Sequence, residues 1–231
     1  MFHPLPMFHP LDANSVWVFD LDNTLYPHEC DLFSHIDHRM TAFIADRLGL
    51  QHDAARALQK RYFMEHGTTL RGLMDRHDVA PKDFLDYVHD IALESLAPDP
   101  SLEAQLAALP GTKLIYTNGT VQHAERVLAK LGIAQHFNEI FDIAAARYVP
   151  KPEADAFAQM VARLAFDPRR AVMLDDMARN LAPAHALGMT TVWIDNGSEW
   201  GDAGADAPYI HHVAPDVGKA VATLLAHHGS G

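Results

Sequence analysis

Two aspartates, Asp20 and Asp22, close an apolar run at residues 15–19. A carboxylate with an ordinary pKa near ~4 is ionised at neutral pH and can attack phosphorus. Repulsion by the phosphate dianion opposes that attack, and a hard divalent cation between the two relieves it. Mg2+ prefers oxygen donors. Asp176 is the natural second metal carboxylate, while Asp175 would act through water or by orienting its neighbours. Residues two apart on a regular strand share a face. Asp22 can therefore protonate a leaving alkoxide and then activate the water that cleaves an acyl phosphate. It must be protonated for the first of these tasks, and a neighbouring carboxylate with partial burial is expected to raise its pKa. Thr117-Asn118-Gly119 offers a hydroxyl and backbone amides to phosphate oxygens at a strand end before a helix. Lys151, between Pro150 and Pro152, offers a fixed charge against Asp20 and the transferring group. Each of these alone is an ordinary turn, cap or loop. Four in this order, each at an expected strand or helix boundary, point to phosphoryl chemistry.

The surrounding pattern shows what positions them. Residues 15–19 read as a strand buried on both faces. In the next stretch Phe33, Ile36, Met40, Phe43, Ile44 and Leu48 recur at three- and four-residue steps. Phe84, Leu85, Val88 and Ile91 do the same, which is amphipathic helix spacing with no strand signal. Beyond Pro100, strands are expected at 113–117, 140–143, 171–174 and 190–194, with an edge strand at 209–213. Helices at 121–131, 153–165, 178–187 and 217–226 alternate with them. The prediction is an α/β chain with a doubly wound parallel sheet and an inserted all-helical segment. Residues 14–27 and 98–231 form the core, 28–97 the helical insert, and 1–13 an extended lead-in. In open parallel sheets ligands bind at the carboxyl ends of strands, so one crevice can collect all the reactive groups.

Composition bounds the partners. The 231 residues carry a net charge of −12, which excludes the basic footprint of a nucleic-acid binder and disfavours an anionic membrane surface. No apolar run approaches the ~20 residues of a membrane span, and no signal-peptide pattern opens the chain. The single cysteine, Cys30, excludes an internal disulfide framework and any multi-cysteine zinc site, and a cytoplasmic location is expected. The 16 histidines form no compact cluster in sequence and are expected to be mostly solvated or capping residues. Residues 1–6 and 7–12 nearly duplicate one another, so Met1 and Met7 are both candidate starts.

Phe19-Asp20-Leu21-Asp22-Asn23-Thr24-Leu25, Tyr116-Thr117-Asn118-Gly119, Lys151-Pro152 and Leu174-Asp175-Asp176 resemble the four motifs of the haloacid dehalogenase-like hydrolase superfamily, over residues 16–194. The resemblance implies a Rossmann-like core, a mobile helical cap after the first strand, and phosphotransfer through an aspartyl-phosphate. It implies Asp20 as nucleophile and metal ligand. Asp22 would be the acid/base and lend its backbone carbonyl to Mg2+, Thr117 and Lys151 would contact the phosphoryl group, and Asp176 would complete the metal site. A narrower resemblance is to the pyrimidine 5′-nucleotidase branch, which takes phosphate from UMP and CMP. It rests on Asp22-Asn23-Thr24-Leu25-Tyr26-Pro27, on Tyr62-Phe63 through Gly67-Thr68-Thr69-Leu70-Arg71-Gly72, and on Tyr148-Val149-Pro150-Lys151-Pro152. It implies a nucleotide as small-molecule partner. Thr68, Thr69 and Arg71 would contact it, and Tyr62 or Phe63 would stack on its base. The branch often has Glu-Asp where this chain has Asp175-Asp176, a difference expected to alter the metal's surroundings but not the reaction. The alternatives are a phosphatase of phosphoglycolate or a sugar phosphate, a phosphomutase, and a non-catalytic binding protein. Dehalogenases of the superfamily generally lack the second aspartate. Receiver domains carry their acidic pair early and have no place for the insert.

Overall fold

The computed structural model describes residues 11–198 and 200–228. The near-duplication up to residue 10, with both candidate starts, lies outside the described residues. The end of the expected lead-in is docked: Leu11 is buried, and Asp12 accepts from Arg170 at 2.6 Å.

The first strand, β1 (Val16–Phe19), is buried at every residue. Alternate side chains enter opposite layers. Trp17 and Phe19 join a core with Leu102, Leu106, Val127 and Val221. Val16 and Val18 join one with Phe157, Met160 and Leu181. Four helices follow: α1 (Leu32–Leu48), α2 (His52–His66), α3 (Thr69–His77) and α4 (Pro81–His89). Then come α5 (Pro100–Ala108), β2 (Thr112–Tyr116), α6 (Val121–Leu131), β3 (Glu139–Phe141) and α7 (Ala154–Leu164). The chain continues through β4 (Ala171–Asp175), α8 (Leu181–Ala186), β5 (Thr190–Ile194), β6 (His212–Ala214) and α9 (Val217–His228). The six strands form one sheet in the order β3-β2-β1-β4-β5-β6, every pairing parallel. This is the expected doubly wound, Rossmann-like sheet.

Three differences from the sequence reading have a clear local cause. Helix α5 was not expected. Pro100 opens it, and the Asp99 side chain caps it by accepting from the amides of Ser101 (2.9 Å) and Leu102 (3.1 Å). Strand β3 stops at Phe141 because Asp142 turns to cap neighbouring amides, Val121 N at 3.1 Å and Ala145 N at 2.8 Å. The edge strand begins at His212, not 209. Before it, Thr191 of β5 donates its hydroxyl to the Tyr209 carbonyl (2.5 Å) and its amide to His211 Nδ1 (3.0 Å).

In the helical stretch α1 packs on α2 and α4, and α2 packs on α3. Tyr62 of α2 lies so close to Gly72 of α3 that a Cβ there would overlap its ring, and its hydroxyl meets His77 Nε2 at 2.7 Å. The chain leaving α4 is gripped by Arg126 of α6, which donates to the carbonyls of His89 (2.8 Å) and Ile91 (2.6 Å). Among the described residues no helix is long and apolar enough to cross a membrane.

Candidate active site

Strand register brings the reactive positions abreast. Phe19 pairs with Ile115 of β2 and Leu174 of β4, so Asp20, Thr117 and Asp175-Asp176 lie at neighbouring strand ends. The central strand ends at Phe19, and Asp22 falls in the turn after it, where Asn23 has a left-handed φ of 59°. The expectation that Asp20 and Asp22 share a strand face is therefore replaced by a turn that brings both to one cavity.

Lys151 is the hub. Its Nζ, almost fully buried, donates to Asp20 Oδ1 (2.6 Å), Asp175 Oδ2 (2.7 Å) and the Tyr116 carbonyl (3.0 Å). Asn118 holds Lys151 in place by accepting its amide at 2.9 Å and donating to its carbonyl at 3.4 Å. Asn118 also lines the cavity, and one of its two Nδ2 hydrogens is not used by Lys151. Thr117, 1% exposed, accepts from Gly119 N at 2.9 Å. Thr24 ties two acids together: its hydroxyl donates to Asp20 Oδ2 (3.0 Å) and accepts from the Asp176 amide (3.0 Å).

One oxygen each of Asp20, Asp175 and Asp176 lies within 4.8 Å of the others. Three buried carboxylates face one ammonium, so negative charge is in excess. Burial pushes Asp20 up to about 7; Lys151 pulls against this, while Asp175 and Asp22 add to it. Burial, with the charges of Asp20 and Asp175, also lifts Asp176 well above the usual carboxylate range. Burial opposes the Lys151 charge, but Asp175 and Asp20 outweigh it and hold the ammonium protonated. Hard oxygen donors with unbalanced charge suit Mg2+. Both Asp175 oxygens are already bonded, Oδ2 to Lys151 and Oδ1 to Met177 N and Asn180 Nδ2, each of the latter at 2.9 Å. Among the described residues Asp20 accepts one bond on each oxygen, from Lys151 and Thr24, and Asp176 accepts only from Asn196 at 3.5 Å, so these two keep more lone pairs to hold the ion directly than Asp175, which accepts three.

A stability test follows from the sign of the Asp20 shift. With a folded pKa of about 7 against 3.8, the folded metal-free protein keeps a proton that the unfolded chain releases. That contribution is complete below the lower value and is lost as pH rises through the higher one. Adding Mg2+ should therefore raise the melting midpoint more at pH ~8 than at pH ~5. A midpoint indifferent to Mg2+ at both would remove the metal from Asp20 and Asp176.

Asp22 departs from expectation. Burial alone would raise its pKa, but His123 and then the Tyr26 hydroxyl stabilise the carboxylate and hold it below the usual value. Both bonds reach Oδ1, from Tyr26 OH at 2.7 Å and His123 Nε2 at 2.8 Å. The neighbouring carboxylates contribute less than these two partners.

The acids open into a cavity of about 350 Å³ whose floor includes Asp20, Asp22, Thr117, Lys151 and Asp176. Its far wall comes from the inserted helices. Thr68 and Thr69 line it, although Thr68 also caps α3 through Arg71 N (3.2 Å), and Thr69 donates to the Gln59 carbonyl (3.2 Å). Arg71 does not line the cavity; its guanidinium turns outward to Asp75 at 3.0 Å. Tyr62 is packed into the insert, but Phe63 lines the wall, with Trp200 edge-on at 6.0 Å and Arg179 over its ring at 4.5 Å. Arg56 and Lys60 line the cavity together with Asp37, to which both are bonded.

Sequence reasoning missed Thr24, Tyr26, His89, His123, Arg56, Lys60 and Trp200. The signal for His123 was its place on the apolar face of α6 beside Ala124, Val127 and Leu128. His89 and His123, far apart in sequence, stack at 4.5 Å and 12°.

A family model described as haloacid dehalogenase-like hydrolase matches residues 15–188. Phosphate metabolism protein 8 of Saccharomyces cerevisiae is 28% identical over 198 residues, covering 78% of this chain and only 61% of the yeast protein. Phosphoglycolate phosphatase of Mesorhizobium japonicum is 28% identical over 194 residues, 80% of this chain and 84% of that protein. The crystal structure of a HAD phosphatase from Thermococcus onnurineus has a TM-score of 0.61 at 19% identity, covering 92% of this chain and 98% of that one, a likeness of fold.

Proposed function

The chain belongs to the haloacid dehalogenase-like hydrolases, and on that footing we propose that it is a Mg2+-dependent phosphomonoester hydrolase acting through an aspartyl-phosphate. The observation that carries this is Lys151 bridging Asp20 and Asp175 beside Asp176, with a second acid, Asp22, opening on the same cavity. Asp20 attacks phosphorus and the ester P–O bond breaks. Asp22 gives its proton to the leaving alkoxide, then takes one from the water that attacks the phosphoenzyme and frees Asp20. An arriving phosphate dianion raises the pKa of Asp22 and so favours the protonated form this step needs. Lys151 and Thr117 meet the transferring group. Asp20, Asp176 and the Asp22 backbone carbonyl would hold Mg2+, which when bound would supply positive charge against the repulsion between Asp20 and phosphate. The helical insert of residues 28–97 is the cap that shapes the leaving-group side.

The substrate class we infer is a pyrimidine nucleoside monophosphate. Supporting it are an aromatic wall of Phe63 and Trp200 for a base, and the donors of Arg56 and Lys60 for its carbonyls. A second reading, a compact carboxylated ester such as phosphoglycolate, is favoured by that same basic pair and by the name of the Mesorhizobium relative. Phosphate release from UMP, CMP, AMP, phosphoglycolate and a sugar phosphate, with Mg2+ or chelator, separates them. The expected result is Mg2+-dependent turnover with kcat/KM for UMP and CMP about tenfold or more above the rest. Phosphoglycolate in the lead would install the second reading, and equal rates would leave a generic phosphatase. A rearranged sugar phosphate as product would indicate a mutase.

A further inference from the structure

We infer that His123 and Tyr26 are positioning residues that fix which oxygen of Asp22 meets the substrate, an inference that rests on the phosphatase reading above. A carboxyl oxygen offers two lone-pair sites. Both sites of Asp22 Oδ1 are filled, by Tyr26 OH at 2.7 Å and His123 Nε2 at 2.8 Å. Among the described residues no side chain or amide donates to Oδ2, and Asp22 lines the cavity. Oδ2 is therefore the oxygen left free for the ester and later for water.

The two donors come from different parts of the chain. Tyr26 belongs to the turn that carries Asp22, whereas His123 reaches over from α6. Neither can drift, since the Tyr26 residue is 2% exposed and the His123 side chain 0%. The His89 ring lies flat on His123 at 4.5 Å. His89 is itself fixed, by a contact between its Nδ1 and the Thr120 hydroxyl (3.3 Å) and by Arg126 on its carbonyl.

The other nitrogen of His123 shows that the ring is not there for packing. Nδ1 is buried and has no hydrogen-bond partner among the described residues. An unpaired buried nitrogen is unfavourable, and an apolar side chain would fill the space better. Asp22 Oδ1 is an acceptor, so the bond requires a hydrogen on Nε2 and His123 donates to Asp22. Among the described residues that bond is the one polar interaction this imidazole makes. General acid catalysis needs its group held within about 0.5 Å of the productive position, and a carboxyl tied at one oxygen from two directions meets that need.

The test is leaving-group dependence. p-Nitrophenolate departs with little protonic help, whereas the alkoxide of UMP or of an alkyl phosphate needs it. We expect His123→Ala and Tyr26→Phe each to lower kcat/KM for the alkyl esters on the order of 10- to 100-fold. For p-nitrophenyl phosphate the loss should be less than about threefold, with KM little changed. His123→Gln, which keeps an N–H near the Nε2 position, should recover most of the alkyl-ester rate. Equal losses on every ester would reduce both residues to a structural role and overturn the inference. So would a well-folded Gln variant as slow as the Ala variant. If His123→Ala fails to fold, Tyr26→Phe, which removes only a hydroxyl, decides the matter by the same ratio. A wild-type protein that hydrolyses none of the esters overturns the proposed function first, and is told apart by needing no variant at all.

Discussion

The Asp20→Asn protein is expected to release no phosphate from any ester and to trap no acid-stable phosphoenzyme. Asn keeps the shape of the side chain and an oxygen for the Lys151 ammonium, which donates to Asp20 at 2.6 Å. It has no ionisable oxygen with which to attack phosphorus. The same change removes one negative charge from a buried cluster in which burial, Asp175 and Asp22 push Asp20 up to about 7. The metal-free variant should therefore melt no lower than the parent, and Mg2+ should stabilise it less. Lost turnover with retained melting locates the defect in chemistry. Near-parental activity would mean that another group attacks, and the nucleophile assignment would fall.

The Lys151→Met protein should suffer in stability and in rate together. Lys151 is 2% exposed and carries the one ammonium among three carboxylates. Removing one partner of a buried ion pair costs about 3–5 kcal/mol because the remaining charge is left uncompensated. For a chain of this size that is a fall in melting midpoint of roughly 6–20 °C. The rate should fall on the order of 10²–10³-fold through lost stabilisation of the transferring phosphoryl charge. Mg2+ should restore part of the stability and little of the rate, because an ion near Asp176 does not stand where the ammonium stood. Melting scans with and without Mg2+, paired with kcat/KM, read both effects. A variant within a few-fold of parental activity and a few degrees of its midpoint would remove Lys151 from the centre of the site.

What the sequence disclosed follows from what one-dimensional patterns encode. The four-residue run Val16–Phe19 is buried throughout and central in the sheet, and continuous apolar runs are what such strands look like. Gly132, in the left-handed region at φ 73°, ends α6 where its position suggested. Motif residues adjacent to strand ends were legible for the same reason: a parallel sheet aligns strand ends whatever their distance in sequence. The side-chain directions off those ends were not. Arg71 and Arg56 are both cationic residues on amphipathic helices, and only packing decides that the first turns to Asp75 and the second to Asp37 and the cavity. The protonation of Asp22 was misjudged because its controlling partner, His123, is distant in sequence and sits on a helix face that reads as core. The cap of α5 was there to be read, in Asp99 followed by Pro100.

The sheet order has a consequence for how the protein is made. Val16 of β1 pairs with Thr112 on one side and Ala171 on the other. At roughly 5–20 residues per second, a ribosome takes on the order of 8–30 s after producing β1 to deliver both neighbours. Through that interval Val-Trp-Val-Phe is a short apolar ribbon with at least one unpaired edge, the kind of segment that draws other nascent chains into aggregates. A chain stalled before Ala171 holds Asp20 without Asp175 or Asp176, so translation completes the charge cluster and the closing of the sheet in the same stretch of residues.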